Sequence, residues 1–476
     1  MTKASREKRL PLRVRPHKPF SYRTKLSNMK RKNIFILLLS ALIGLQGIHA
    51  QTTWTLKQCI DYAIEHNITV QQLQINSENQ EIRLNTARNS RLPNLNVNLG
   101  ENVSFGRGAG RDDRIVDNTQ ISTSMGASAS VPVFQGMAIK HNIAGRDLDL
   151  KAALKDLDRA KEDVALNVAS LYLQVLLNKE LVKVAENQVE LSRQQVTRSE
   201  LLVKNGKSPD SELYESKALL ANDELTLTQA RNSLQLALLD LSQALNLEDK
   251  EGFDIATPDL GTITLASMSR LEQPNVIYDY AVGNRPSIQA EKLRLESSYS
   301  ALKSAKSALY PSITLGFGYN NGYYYSIAEH AQNVAFFKQL KYNGSEYIGL
   351  NVSIPIFNRF ATRNNIRTAQ NSIKIQELAV TEAQRNLRKE IEQSYYNADA
   401  AYQKFLSSEK SLEAAREAFR YQEEKTTAGR STIFDYNDAK NRMIRSESEM
   451  VQAKFEFIFR RKILDFYAGQ PLDFGS

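Results

Sequence analysis

From Leu95 onward the chain alternates between apolar and polar residues. Leu95, Val97, Leu99, Val103 and Phe105 form one row, with Asn94, Asn96, Asn98, Asn102 and Ser104 between them; only Glu101 interrupts the apolar row. A second stretch sets Ile121, Met125, Ala127, Ala129, Val131 and Val133 against Gln120, Ser122, Ser124, Gly126, Ser128 and Ser130. Ile313, Leu315, Phe317 and Tyr319 repeat the design, as do Ile348, Leu350, Val352, Ile354 and Ile356. A period of two sustained over about ten residues predicts a strand in each of these four segments. Strands average about 5–6 residues in ordinary sheets. A membrane-spanning strand takes about 9–11, apolar toward lipid and polar toward a lumen. The small Ser, Asn and Gly residues of the polar row suit a wet interior. Tyr319, Tyr323, Tyr324, Tyr325, Phe336 and Phe337 cluster where an interfacial aromatic girdle would lie. A soluble β-sandwich face is the alternative reading of the same alternation.

Elsewhere the period is helical. Between about 135 and 204 there is no proline, and Val164, Val168, Leu171, Val175, Asn178, Val182, Ala185, Val189, Ser192, Val196, Ser199 and Val203 step alternately by four and three. That is the 3.5-residue seam of a left-handed coiled coil, interrupted by the polar Asn178, Ser192 and Ser199. Some 70 residues at 1.5 Å each make a helix of about 105 Å, far longer than a bilayer is thick. Its other faces are too charged for lipid, so it is predicted to project into water. Helices over 55–90 and 210–246 together match its length and are predicted to lie end to end beside it. A second set has the same proportions: 276–309 and 432–468 against 358–427.

The pattern is written twice. "RLPNLNVNLG" returns as "LYPSITLGFG", "VPVFQGMAIKHN" as "IPIFNRFATRNN", and "NGKSPDSELYESK" as "AGRSTIFDYNDAK". The expected organisation is a first repeat over 51–247, an inter-repeat linker over 248–274 that packs around the middle of the helices, a second repeat over 275–470 and a short tail over 471–476. Pro93, Pro132, Pro311 and Pro355 mark the junctions between strands and helices, where proline ends a strand. The role of the segment 321–346 is not legible from its residues.

Charge and composition remove several classes of function. The chain carries a net +9, but residues 1–50 hold 12 Lys/Arg and one acid, Glu7, which leaves residues 51–476 at −2. The basicity therefore belongs to the leader and does not point to nucleic acid. "NMKRKN" followed by "IFILLLSALIGL" and "QGIHA" reads as a signal peptide cleaved after Ala50, with Met29 as an alternative start. Cys59 is the only cysteine, so no internal disulfide forms and no lipidated N-terminal cysteine is expected. His66, His141 and His330 have no metal-ligand spacing. With no phosphate-binding loop and no nucleophile elbow, neither an enzyme nor a cofactor is expected.

Four strands cannot close a barrel, and an open edge in lipid leaves backbone groups unsatisfied, so membrane strands of this number require a ring of several chains. The physics does not choose between dimer, trimer and tetramer. Asp435 and Asp438 follow Gly429 one helical turn apart, and Thr432 with Asp435 has capping-box spacing. On the residues alone, capping is the better reading of these acids. It is also the better reading of Glu212 and Glu215, the candidate tip acids at the same offset in the first repeat.

The duplicated order, the "VPVF" and "IPIF" junctions and the "NGKSPDSELYESKALLAN" and "AGRSTIFDYNDAKNRM" tips resemble the TolC family of outer-membrane efflux proteins, over nearly all of 51–470. The resemblance implies an α+β membrane protein: a homotrimer with four transmembrane strands per chain, a 12-stranded barrel in the outer membrane of a Gram-negative bacterium, and a coiled-coil helical barrel crossing the periplasm. It implies an exit duct for a tripartite efflux or type I secretion system, whose partners are a periplasmic adaptor and an inner-membrane RND or ABC-type pump. Asp435 and Asp438 match the positions of the family's narrowest carboxylate ring, whose crowded charges would raise one another's pKa values. Gly206, Lys207, Ser208, Gly429, Arg430 and Ser431 fall at the tips where an adaptor docks, with the polar residues exposed. The competing reading is a periplasmic coiled-coil scaffold or adhesin without channel activity. The cargo is not legible.

Overall fold

The computed structural model describes residues 53–109, 115–117, 119–248, 252–258, 261, 271–327 and 331–472. The predicted signal peptide, with Met29 and Ala50, lies outside the described residues, as do parts of the linker and of the tail. In chain order the elements are α1 (Leu56–His66), α2 (Ile68–Asn89), β1 (Asn94–Ser104), β2 (Arg107–Ala109), β3 (Ile115–Asp117), β4 (Gln120–Gln135), α3 (Ala138–Lys204), α4 (Asp210–Ala244), α5 (Pro274–Asn284), α6 (Pro286–Ser307), β5 (Ser312–Ser326), α7 (Phe336–Tyr342), β6 (Ser345–Ser353), α8 (Ala361–Thr427) and α9 (Ile433–Tyr467).

Two helices expected to be continuous are broken. The 55–90 helix stops at Asn67, which is extended and whose side chain accepts from the N–H groups of Thr69 and Val70, restarting the helix as α2. The 276–309 helix stops at Arg285, because Pro286 lacks an N–H and pushes the residue before it out of the helical region.

α3 and α8 are 67 residues each, about 100 Å long. α2 and α4 pack along α3; α9 packs along α8 and also reaches α3, whereas α6, expected beside α8 alone, packs along both long helices and more extensively along α3. None of the twelve predicted seam residues of α3 is exposed, and eight are buried, so the seam is a true core stripe. Its three polar members meet polar partners rather than water. Asn178 donates to the Ser233 carbonyl at 3.3 Å, Ser199 lies 3.0 Å from Ser216, and Ser192 joins a buried ion pair described below. The described part of the linker packs against the middle of α3. Trp54 pairs with Ile255, Tyr172 donates to the Ala256 carbonyl at 2.6 Å, and Lys179 sits 2.6 Å from Asp254.

The strands β1, β4, β5 and β6 form one antiparallel sheet in that order. Register aligns the alternation into rows. Leu95 faces Ala129, Ala129 faces Phe317 and Phe317 faces Ile348; the polar Asn96, Ser128 and Gly318 form the next row. The exception, Glu101, stands opposite Thr123, which donates to its carboxylate at 2.7 Å. β1 and β6 are the edges. The apolar row is bare, with Leu99 75% and Leu350 63% exposed.

The junctions are not made by the prolines alone. β4 runs through Pro132 to Gln135 with a bulge between Pro132 and Phe134, so Pro132 does not end its strand; Pro355 does lie beyond the end of β6. The turn into each long helix is a pair of consecutive left-handed residues: Gly136 (φ 58°) and Met137 (φ 69°) before α3, Arg359 (φ 53°) and Phe360 (φ 62°) before α8. Pro93 and Pro311 directly precede β1 and β5.

The segment 321–346 is not simply a loop. β5 continues to Ser326, beyond its pairing with β6, which ends at Asn320. Side-chain amides cover its free edge. Asn343 donates to the Gly322 carbonyl, Gln339 exchanges both bonds with Tyr324, and Asn333 exchanges both with Ser326. A side-chain amide carries both a donor and an acceptor group, so three side chains on alternate residues stand in for a missing strand. The expected aromatic cluster forms here, with Tyr323 edge-on to Phe336 at 5.0 Å.

Candidate functional site

At both tips the chain turns in the same way. Gly206 (φ 66°) and Gly429 (φ 69°) end α3 and α8. Lys207 N–H donates to the Leu202 carbonyl and Arg430 N–H to the Lys425 carbonyl, each at 2.9 Å, the longer-range bond of a Schellman motif. The guanidinium of Arg198 ties the two tips together, donating to the Thr426 carbonyl at 2.7 Å and to Thr427 Oγ1 at 3.2 Å. Lys207 and Arg430 are exposed as expected, but Ser208 and Ser431 are half-buried. Ser208 donates to Glu212, and Ser431 accepts from Gln422.

Asp435 is both a cap and an exposed carboxylate. Its N–H donates to Thr432 Oγ1 at 3.1 Å, and its Oδ2 accepts from the Thr432 hydroxyl at 2.7 Å and from the Thr432 N–H at 3.4 Å, closing the capping box. Within the single chain the Asp435 carboxyl is held below the usual carboxylate range, first by the Thr432 hydroxyl and then by its N–H. Asp438 is not free: its Oδ2 lies 2.7 Å from Arg442. Tyr436 and Lys440, on the opposite side of α9, are buried, so Asp435, Asp438 and Arg442 share the outward face. Glu215 is exposed and Glu212 half-buried. Pro209 precedes α4 and provides no side-chain cap, so the second tip has a capping-box acid that the first lacks. Among the described residues no three His, Cys, Asp or Glu side chains gather as a metal site. A divalent ion at the tip would need carboxylates from several chains.

Removing the Thr432 hydroxyl removes the main donor to the charged form of Asp435. Thr432→Val is therefore expected to move the pH midpoint of any Asp435-dependent ion selectivity upward, and to cost about 1 kcal/mol of helix-start stability. Reversal potentials measured across a pH series check the first; a midpoint that stays put rejects it.

Sequence reading missed what lies behind this face. Lys440 and Asp223 are each 1% exposed and 2.9 Å apart, joining α9 to α4. Ser192 of α3 donates to Asp223 and accepts from Lys440, and Gln188 donates to the other carboxylate oxygen. The polar interruption of the coiled-coil seam at Ser192 was the signal.

The chain thus combines paired long helices with a small sheet whose apolar row is exposed. The chain matches the outer membrane efflux protein family over residues 59–247 and 277–464, and it belongs to that family. It is 20% identical to outer membrane efflux protein BepC of Brucella suis over 75% of this chain and 73% of the relative, and 21% identical to outer membrane protein TolC of Vibrio cholerae over 78% and 81%. Among solved structures, CusC aligns with a TM-score of 0.72 at 14% identity over 87% of this chain and 92% of that one. VceC of Vibrio cholerae aligns with 0.69 at 14% over 88% and 96%. The protein is thus an outer-membrane exit duct of efflux systems, and its family is one of channels rather than of enzymes.

Proposed function

We propose that three copies close into one duct, with a 12-stranded barrel in the outer membrane and a helical tunnel through the periplasm whose narrow end is ringed by Asp435 and Asp438. The observation that carries this reading is the sheet. Its apolar row is bare, Leu99 at 75% exposure among it, and the outer edges of β1 and β6 have no partner strand among the described residues, which lipid and a neighbouring copy can satisfy together. The sequence repeats over 51–247 and 275–470, joined by 248–274, supply two strands each. Because Arg442 offsets Asp438, Asp435 supplies most of the ring's net charge. The tips around Gly206, Lys207, Gly429 and Arg430 take a periplasmic adaptor, which couples the duct to an inner-membrane pump of the RND or ABC type.

Purified protein in a planar bilayer is expected to give discrete, cation-selective conductance blocked from the tip side by divalent ions. Asp435→Asn with Asp438→Asn is expected to abolish the block and most of the selectivity. Unchanged selectivity and block in the double variant would reject the constriction.

A further inference from the structure

The helix ends that meet the sheet carry positive charge only. Residues 88–93, 136–146, 297–310 and 357–367 hold nine Arg or Lys and no Asp or Glu. Arg88 and Arg146 lie beside Asp147 and Asp149. The others, Lys303 and Lys306 among them, form no ion pair among the described residues, whereas farther down the same helices Lys155, Arg294 and Arg388 are paired. Exposed cations gathered at one level raise the local positive potential and attract an anion from outside the chain.

Two of these lysines open onto a cavity of about 310 Å³ lined by Phe134, Met137, His141, Lys303, Lys306 and Tyr310. The bulge after Pro132 decides which side of the sheet it faces. Beyond it Phe134 stands opposite Ile313, so Phe134 joins the apolar face that carries Leu315 and Phe317. The cavity therefore has an aromatic and thioether wall continuous with the apolar face and an ammonium pair at its helical end. Its depth also fits. Ile313 and the girdle residue Tyr323 are ten residues apart on β5, about 33 Å along the strand. That is one hydrocarbon thickness for a tilted strand.

We propose that this pocket binds the headgroup of an anionic phospholipid in the periplasmic leaflet, its phosphate between Lys303 and Lys306 and its acyl chains along the apolar face. Charge complementarity selects the lipid: a zwitterionic headgroup brings a cation to lysines that already lack an anion. The proposal rests on the barrel reading above.

The full-length protein, purified in detergent and stripped of lipid, is offered equal amounts of phosphatidylglycerol and phosphatidylcholine, and the retained lipid is read by native mass spectrometry. Phosphatidylglycerol is expected to be favoured about tenfold. Lys303→Gln with Lys306→Gln should bring the ratio close to one, while Lys404→Gln, remote on α8, leaves it unchanged. Heat-modifiable oligomer on a gel verifies that each variant folds. Equal retention by the wild type, or an unchanged ratio in the double variant, overturns the proposal. So does displacement by glycerol 3-phosphate, which would make the ligand a soluble phosphate. Protein that inserts into phosphatidylcholine vesicles without preference loses only this pocket; protein that stays in the aqueous phase without detergent loses the barrel reading as well.

Discussion

Asp223→Ala is expected to lower the stability of the helical domain by about 3–5 kcal/mol, the cost of leaving a buried charge without its partner. Lys440 is 1% exposed, and with Asp223 gone the Ser192 hydroxyl is the one partner left to its ammonium among the described residues. The interaction joins α9 to α3 and α4, so the loss falls on the packing between the two halves of the chain as well as on one helix. Asp223→Leu with Lys440→Met removes both charges and keeps the volume, and should recover most of the loss, since well-packed apolar replacements of buried pairs are often neutral or better. Urea unfolding followed by helical circular dichroism measures both. A single variant as stable as the wild type, or a double variant no better than the single, rejects the account.

The second large effect is expected at Gly136. A Cβ there would run into the Ser307 carbonyl oxygen and come within 2.9 Å of Tyr310 Cβ, and the residue is left-handed at φ 58°. Backbone preference contributes about 1–2 kcal/mol and overpacking a further 1–3 kcal/mol, so Gly136→Ala should destabilise by about 2–5 kcal/mol in total. The matching residue of the other junction gives a control. Arg359 holds the same left-handed conformation with a side chain, so Arg359→Gly relieves strain at the cost of a looser unfolded chain and should change stability by less than about 1 kcal/mol. Thermal melting of the two variants side by side checks the asymmetry; shifts of equal size and opposite sign would show that conformation alone, and not the Ser307 carbonyl, sets the requirement.

These two sites mark where sequence reading succeeded and where it stopped. The seam from Val164 to Val203 was legible because a 3.5-residue period over so many turns has only one packing solution. The strand rows were legible because pairing in register requires the alternation to be kept. Lys440 was not, because a lysine on a polar helix reads as solvent-facing until its neighbours are placed, and those neighbours lie more than 200 residues away in sequence. Arg442 was equally invisible as the partner of Asp438, although its i, i+4 spacing could have suggested it. Pro286 carried a clear stop signal, and the continuous helix read through it was an avoidable error. The left-handed pair at Arg359 and Phe360 had no sequence signature at all; only its likeness to "QGM" in the first half pointed there. Cys59 was legible only as an isolated residue. Full burial pushes its thiol up to about 12, so it is an inert core atom and leaves the chain free for cysteine labelling elsewhere.

The amide side chains along the end of β5 have a consequence for assembly. Asn333, Gln339 and Asn343 already occupy the hydrogen-bonding positions beside Gly322, Tyr324 and Ser326. In the proposed ring they act as a stop, so that an incoming neighbour can align only on the nine residues of β6. A slip of a single residue would turn every side chain of that seam inside out, wetting the lipid face and greasing the channel. In that proposed ring, the segment that caps the end of β5 limits where a neighbour can align.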